Sequence, residues 1–129
     1  MANFVLDVGR IPEGVAAAVA YRFCAIGTTQ NHIDLTPTLA QQVLGVVMDN
    51  MDASKVVEGG VVDVRIMGIA PVMLGTGGAA PGDRVVSGVD GKAILGTAAA
   101  NFVAGIALQT GSAGTIIDVL LTPGTKWVS

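Results

Sequence analysis

The sequence predicts an all-β fold, a small β-barrel or β-sandwich of short strands with at most one or two short helices. Turn signals recur at short intervals along the 129 residues, which include 18 glycines and 5 prolines. The segments between these turns are rich in β-branched residues, and parts of the first half return in the second half. A chain of this length has room for one domain.

The predicted strands are short apolar runs at residues 43–48, 61–67, 94–95, 102–108 and 115–121. Residues 89–92 (Val-Asp-Gly-Lys) give the clearest hairpin signal, because Asp-Gly suits the two positive-φ positions of a type I′ turn. Helical turns fit at residues 36–42 and 96–100, and residues 15–21 suit either a longer helix or an extended lead-in strand.

An internal pseudo-repeat relates the two halves of the chain. Residues 43–47 (Val-Leu-Gly-Val-Val) match residues 103–107 (Val-Ala-Gly-Ile-Ala), and residues 59–64 match residues 114–119. Each half therefore contains a strand with one glycine followed by a strand with one aspartate. We expect two such halves to pack face to face and complete one barrel or sandwich. Chance similarity between strands rich in valine and glycine is the alternative.

The composition predicts that other chains cover part of the surface. Hydrophobic residues make up 51% of the chain and charged residues 13%, which excludes intrinsic disorder. A net charge of −3 argues against a protein that coats nucleic acid. Such a small domain has few charges for its exterior, so copies of itself or a larger partner are expected to cover it. A bland monomer surface rich in alanine and glycine is the alternative.

The N-terminal residues carry no basic region of a secretory signal, and no apolar run reaches the ~20 residues of a membrane-spanning helix. We therefore expect a soluble protein that is made in the cytoplasm. We divide the chain into an N-terminal arm, residues 1–17, and a single β-rich domain, residues 18–129. The apolar segment Phe4-Val5-Leu6 in the arm is suited to adding a strand to a sheet edge of another protein. The alternative is that it forms an ordinary edge strand of the domain itself.

Two strands of the pseudo-repeat carry an aspartate among apolar residues. Alternation places Asp63 and Arg65 on one face of the first strand, and Ile116, Asp118 and Leu120 on one face of the second. The apolar neighbours of Asp118 favour a contact between subunits, with a solvated face as the alternative. These five residues are the candidate oligomer interface.

The residues that carry catalysis are scarce in this sequence. Cys24 and His32 are its single cysteine and histidine, and Cys24 lies in an apolar strand where a thiol is usually buried and inert. The segment 49–52 lacks the alternating ligands of a calcium loop, and the glycine-rich segment 74–82 lacks the Gly-Lys-Ser/Thr of a phosphate-binding loop. We therefore expect a protein without enzymatic activity, cofactor, metal or small-molecule substrate.

Several segments follow one another in a recognisable order, at residues 64–70 (Val-Arg-Ile-Met-Gly-Ile-Ala), 81–85 (Pro-Gly-Asp-Arg-Val), 90–93, 103–108 and 113–124. Their order and spacing resemble a family of small tailed-phage capsid decoration, or cement, proteins. The resemblance covers roughly residues 18–124, and residues 49–58 form a longer insertion than that family carries.

The resemblance implies a mostly β virion protein that binds the outer surface of the expanded capsid. Such a protein bridges subunits of the major capsid protein, commonly as a homotrimer, and stabilises the head. From the net charge and the short apolar runs we expect no nucleic-acid or membrane partner. A self-assembling tube or fibre subunit is the first alternative, and a small β-barrel ligand binder or enzyme with a pocket near Cys24 and His32 is the second. The residues that we expect to contact the capsid are Ala2, Asn3, Phe4, Val5 and Leu6.

Overall fold

The computed structural model describes residues 5–13, 17–35, 37, 42–88, 90–96 and 102–126. The first half of the chain contains β1 (Leu6–Pro12), β2 (Arg22–Ile26), β3 (His32–Asp34), β4 (Val43–Val47), α1 (Ala53–Val57) and β5 (Val62–Met67). The second half contains β6 (Ile69–Met73), β7 (Arg84–Ser87), β8 (Ala93–Leu95), β9 (Phe102–Ala107) and β10 (Ile116–Lys126). The all-β prediction is confirmed.

Strands β1 to β5 form a closed barrel with the order β1-β3-β2-β4-β5, which we call the first unit. All its strand pairs are antiparallel except β1 with β3, which run parallel and close the barrel. Side chains that alternate inward along β2, β3, β4 and β5 fill the interior. This core contains Ala18, Cys24, Ile33, Val47, Val62 and Val64.

Strands β6 to β10 form a five-stranded sheet, which we call the second unit, with the order β6-β10-β9-β7-β8. The first unit has the same order when its barrel is opened between β1 and β3 and read from β1. Every strand pair of this sheet is antiparallel. Its two outer strands approach each other at one parallel bridge, between Leu74 and Ala93. This bridge corresponds to the pairing of Pro12 with Ile33 in the first unit.

The strand register is repeated as well as the strand order. Pairs in the first unit have counterparts at the same places in the second: Val46 with Arg65 corresponds to Ile106 with Leu120, Gly9 with Asp63 to Pro71 with Asp118, and Cys24 with Gly45 to Val85 with Gly105. The pseudo-repeat in the sequence is therefore a repeat of a whole five-stranded unit. The two halves pack against each other as expected. They do not complete a single barrel, because the first unit closes on itself.

Glycine occurs in β4 and β9 because neighbouring strands approach closely there. A Cβ on Gly45 would overlap the carbonyl oxygen of Arg65. A Cβ on Gly105 would lie 2.5 Å from a methyl carbon of Val119 and 2.7 Å from the carbonyl oxygen of Leu120. Real Cβ atoms do not approach other atoms so closely, so both positions require glycine.

The two units are joined through a second core, in which Phe23 and Val46 from the barrel wall pack among side chains of the second unit. The side chains from the second unit include Val72, Leu74, Val85, Ile117 and Val119. Phe23 is 1% exposed and is one of the largest fully buried side chains. The outer wall of the barrel therefore packs onto the second sheet.

Backbone hydrogen bonds show how this joint is made. In the first unit the Ile11 N–H donates to the carbonyl oxygen of Asn31 at 3.1 Å. In the second unit the corresponding groups are Met73 N–H and Gly91 C=O. Each of them forms its hydrogen bond with the first unit, at β2 or at the residue before β2. Met73 N–H donates to the Tyr21 carbonyl at 2.8 Å, and Phe23 N–H donates to the Gly91 carbonyl at 2.7 Å. Residues 21–23 are thus inserted between the outer strands of the second unit.

Several local predictions need correction. Residues 6–12 are a strand of the barrel, so the N-terminal arm predicted for residues 1–17 is not separate from the domain. The hairpin at residues 89–92 is present between β7 and β8, but its turn hydrogen bond runs from Gly91 N–H to the Gly88 carbonyl oxygen at 3.0 Å. Asp90 and Gly91 are therefore not the two central residues of the turn, as the type I′ prediction requires. Residues 17–21 are not helical, since Ala18 forms a bridge with Met51.

The helix among the described residues, α1, lies instead in the 49–58 insertion. Helical turns were also predicted at residues 36–42 and 96–100. Most residues of these two segments lie outside the described part of the chain. None of the helices in the described part of the chain is long and apolar enough to cross a membrane.

Candidate interaction surface

The outer side of the second unit carries an apolar face that we call the β10 face. Cross-strand partners share a face of a sheet, so the pairs Ile116 with Met73, Asp118 with Pro71 and Leu120 with Ile69 lie side by side. Ile106 adjoins Leu120 from β9. Ile116 is 44% exposed and Leu120 39% exposed, which is high for branched aliphatic side chains. The β10 face comprises Ile69, Pro71, Met73, Ile106, Ile116, Asp118 and Leu120.

Asp118 is exposed at the centre of this face. Its backbone N–H donates to Oε1 of Gln109 at 2.9 Å, but no described residue forms a hydrogen bond or ion pair with its carboxylate. The residues two positions away on β10 are Ile116 and Leu120, and the residue across from it is Pro71. The carboxylate is therefore flanked by apolar side chains along β10 and across on β6, with the polar side chain of Gln109 beside it.

The first unit carries the corresponding surface, the β5 face, which comprises Leu6, Asp7, Gly9, Val61, Asp63, Arg65 and Met67. Asp63 is exposed and corresponds to Asp118, and its N–H donates to Oδ2 of Asp49 at 3.0 Å. Arg65 corresponds to Leu120 and makes a two-pronged contact with Asp7. Its Nε lies 2.9 Å from Oδ1 and its Nη2 lies 3.3 Å from Oδ2 of that carboxylate.

The β5 and β10 faces adjoin at Gly68, which connects β5 to β6. Arg65 Nη1 donates to the carbonyl oxygen of Ile69 at 3.1 Å, which links the two faces directly. The structure therefore places Asp63 and Arg65 on one face, Ile116, Asp118 and Leu120 on the other, and brings both together.

Sequence reasoning missed further members of this surface, among them Asp7, Ile69, Pro71 and Met73. The alternation of Ile69, Pro71 and Met73 along β6 was a readable signal, since it marks one side of a strand. Asp7 gave no such signal, because its partner Arg65 is distant in the sequence and is brought near only by the pairing of β1 with β5.

Of the five N-terminal residues expected to contact the capsid, the structure describes two, Val5 and Leu6. Val5 and Leu6 are 40% and 45% exposed, and Leu6 pairs with Met67, which is 59% exposed. These three side chains extend the apolar part of the β5 face toward the N-terminus. Ala2, Asn3 and Phe4 lie outside the described residues.

Cys24 and His32 do not share a pocket. Cys24 is fully buried in the barrel, and its Sγ lies 3.7 Å from the carbonyl oxygen of Gly45. Burial raises the pKa of this thiol to about 12, so it is protonated at neutral pH. His32 begins β3, and its Nδ1 lies 2.9 Å from the carbonyl oxygen of Gln30, beside a shallow cavity that Cys24 does not line. No three His, Cys, Asp or Glu side chains come together as a metal site within the described ranges.

A cavity of about 480 Å³ opens at the end of the second unit, between Leu74, Lys92 and Ile94. The corresponding place in the first unit is crossed by Glu13, whose carboxylate accepts the Thr29 N–H at 2.7 Å. That hydrogen bond lowers the pKa of Glu13. The second unit has Gly75 at the position of Glu13, which leaves this space open.

The fold is therefore a pair of small five-stranded β units with the same topology and register, joined through the wall of the first. No protein-family model matches the chain, and no curated protein is similar to it.

Among solved structures, the chain is similar to the N base of the head fibre protein gp8.5 of bacteriophage phi29. The TM-score is 0.67 at 17% sequence identity, and the match covers 98% of this chain and 100% of the other. This similarity establishes a shared fold.

Proposed function

We propose that this chain is a structural protein of a tailed-phage head, bound to the outer surface of the expanded capsid as a decoration protein. The observation that carries the proposal is the shared fold with the base of a phage head fibre, which extends over nearly the whole of both chains. The resemblance of the sequence to capsid decoration proteins points to the same location.

In this role the protein bridges subunits of the major capsid protein and stabilises the head as a homotrimer, without enzymatic activity. A ligand that binds the assembled shell, and not its separated subunits, stabilises the shell by mass action. Three linked copies add avidity to individually weak contacts. The exposed apolar side chains of the β5 and β10 faces and of the N-terminal segment supply contact surface for the shell and for other copies.

Co-sedimentation with expanded, undecorated heads tests this function. We expect saturable binding and heads that withstand higher temperature when the protein is bound. Removal of residues 2–5 leaves β1 intact, and we expect this variant to keep its melting temperature and lose affinity for heads. Val57→Lys is the matched control, because Val57 is 65% exposed on α1, outside both faces. Absence of any saturable binding by the wild-type chain would exclude the decoration role.

A second candidate function is the base of a head fibre, which the identity of the structural neighbour favours. A fibre base contacts the head on one side and a fibre-forming polypeptide on another. Electron microscopy of decorated heads distinguishes the two roles, because a decoration protein appears as compact density alone and a fibre base carries elongated density above it.

A further inference from the structure

The β10 face combines exposed apolar side chains with one carboxylate that has no cation beside it. A partner that covers Ile116 and Leu120 also removes water from Asp118, which lies between them on the same face. A carboxylate that loses its water without gaining a hydrogen-bonded cation is strongly destabilised. A partner that brings a positive charge to the centre of this contact compensates this loss most fully.

The β5 face of the first unit carries an ion pair at the place where the β10 face carries apolar side chains. At the position of Leu120 the first unit has Arg65, which binds both oxygens of Asp7 and is only 19% exposed. The second unit has leucine at this position and isoleucine, Ile69, at the position of Asp7. The β10 face therefore has apolar side chains where the β5 face has an ion pair. Asp118, like Asp63, has no ion-pair partner among the described residues, but only Asp118 lies between exposed apolar side chains on its strand.

A second copy of this chain is a poor source for the missing cation. The β10 face contains no lysine or arginine, and Arg65 and Arg84 adjoin its rim. Arg65 is engaged by Asp7, and Arg84, which pairs across from Ile106, also has a partner in its own chain. Two β10 faces in contact would bring two carboxylates into one apolar interface.

We infer that the β10 face docks onto a different protein that presents an arginine or lysine within an apolar patch, with that cation against Asp118. This inference rests on the proposed function and makes the capsid surface the partner. It assigns Ile116, Asp118 and Leu120 to the contact with the shell instead of the contact between copies. Arginine within an apolar patch is a frequent composition at the centre of protein interfaces.

The test compares Asp118→Asn with Asp63→Asn in co-sedimentation with expanded, undecorated heads. Asparagine keeps the size of the side chain and removes its charge, and Asp63 is the matched control at the corresponding position of the first unit. We expect Asp118→Asn to bind at least roughly tenfold more weakly, because the cation of the partner is left unpaired. Its binding is also expected to depend less on salt than that of the wild type. We expect Asp63→Asn to bind within about twofold of the wild type.

Equal or tighter binding of Asp118→Asn would overturn the inference, since an apolar partner surface binds the neutral side chain better. Sedimentation velocity of the chain alone tests whether a second copy of the chain covers the β10 face. We expect Ile116→Lys to leave the oligomeric state unchanged, and dissociation of a wild-type oligomer by this substitution would identify a second copy on the face. A wild-type chain that binds no heads would overturn the proposed function itself, which is a different result from binding that ignores Asp118.

Discussion

The two units have the same strand order and register, yet they close in different ways. In the first unit β1 and β3 pair at two positions, Ile11 with His32 and Pro12 with Ile33. In the second unit the equivalent strands meet at one bridge, and residues 21–23 fill the remaining gap. The comparison teaches that one β topology can either close into a barrel or stay open and accept a segment of another unit between its outer strands. We expect the side chains at a few corresponding positions to decide which form results.

The largest difference in stability between corresponding substitutions is expected at Phe23 and its counterpart in the second unit, Arg84. Phe23 is buried in the joint, whereas Arg84 is exposed on the second unit. We expect Phe23→Ala to lower the free energy of unfolding by about 4 kcal/mol, through lost burial and the cavity that remains. Arg84→Ala is expected to cost less than about 1 kcal/mol. Urea denaturation of both variants measures this difference, and similar losses would show that the joint does not depend on Phe23.

The next largest difference in stability is expected between substitutions of Gly91 and of its counterpart in the first unit, Asn31. Both have a positive φ, of 83° and 64°, but a Cβ on Gly91 would lie 2.6 Å from the carbonyl oxygen of Phe23. We expect Gly91→Ala to cost about 3 kcal/mol, from overpacking and the left-handed backbone together.

Asn31→Gly keeps a favourable left-handed residue and is expected to change stability by less than about 1 kcal/mol. Thermal denaturation compares the two variants. Hydrogen exchange of the Phe23 and Met73 amides reports on the joint itself, and unchanged protection of both amides in Gly91→Ala would contradict the role given to this glycine.

The smallest effect at neutral pH is expected at Cys24, whose counterpart in the second unit is Val85. Cys24→Val is expected to alter stability at pH 7 by less than about 1.5 kcal/mol, since the volumes are similar. Above pH 9 the two proteins differ, because the folded chain holds a thiol with a pKa of about 12 and an ordinary thiol has a value of 9.0. The raised pKa means that the unfolded state loses this proton first.

The wild type should therefore lose up to about 1.4 kcal/mol of stability per pH unit between pH 9 and 12, relative to Cys24→Val. Urea denaturation over pH 7 to 11 tests this expectation, with the difference between the two proteins constant below pH 9. Parallel profiles up to pH 11 would show that the thiol is not buried as described.

Much of the fold could be predicted from the sequence because valine- and isoleucine-rich strands and glycine turns are local signals. The match of Gly45 with Gly105 and of Asp63 with Asp118 revealed the pseudo-repeat, because a close approach between strands permits only glycine. The equivalence of β1 with β6 could not be predicted, since Pro12 and Leu74 share a place in the register without sharing chemistry. For the same reason residues 6–12 were mistaken for part of an arm.

The candidate surface was predictable only in part. Alternation along β5 and β10 placed Asp63, Arg65, Ile116, Asp118 and Leu120 on exposed faces, and the structure confirms their shared orientation within each strand. Their role in contacts stays a prediction. The ion pair of Arg65 with Asp7 could not be found from spacing, because it depends on the barrel closing. The helix α1 was also missed, since residues 53–57 are too short for a periodic pattern.

The insertion of residues 21–23 has a consequence for dissecting the molecule. The N-terminal half carries every strand of its own barrel and is a candidate for expression by itself. Phe23, which the C-terminal half covers in the whole chain, would then be replaced by a polar residue. The C-terminal half lacks residues 21–23, which lie between its two outer strands in the whole chain. On its own it would leave Met73 N–H and Gly91 C=O without these hydrogen-bond partners. A synthetic peptide spanning residues 19–25, added in trans, would be the natural complement for such a fragment.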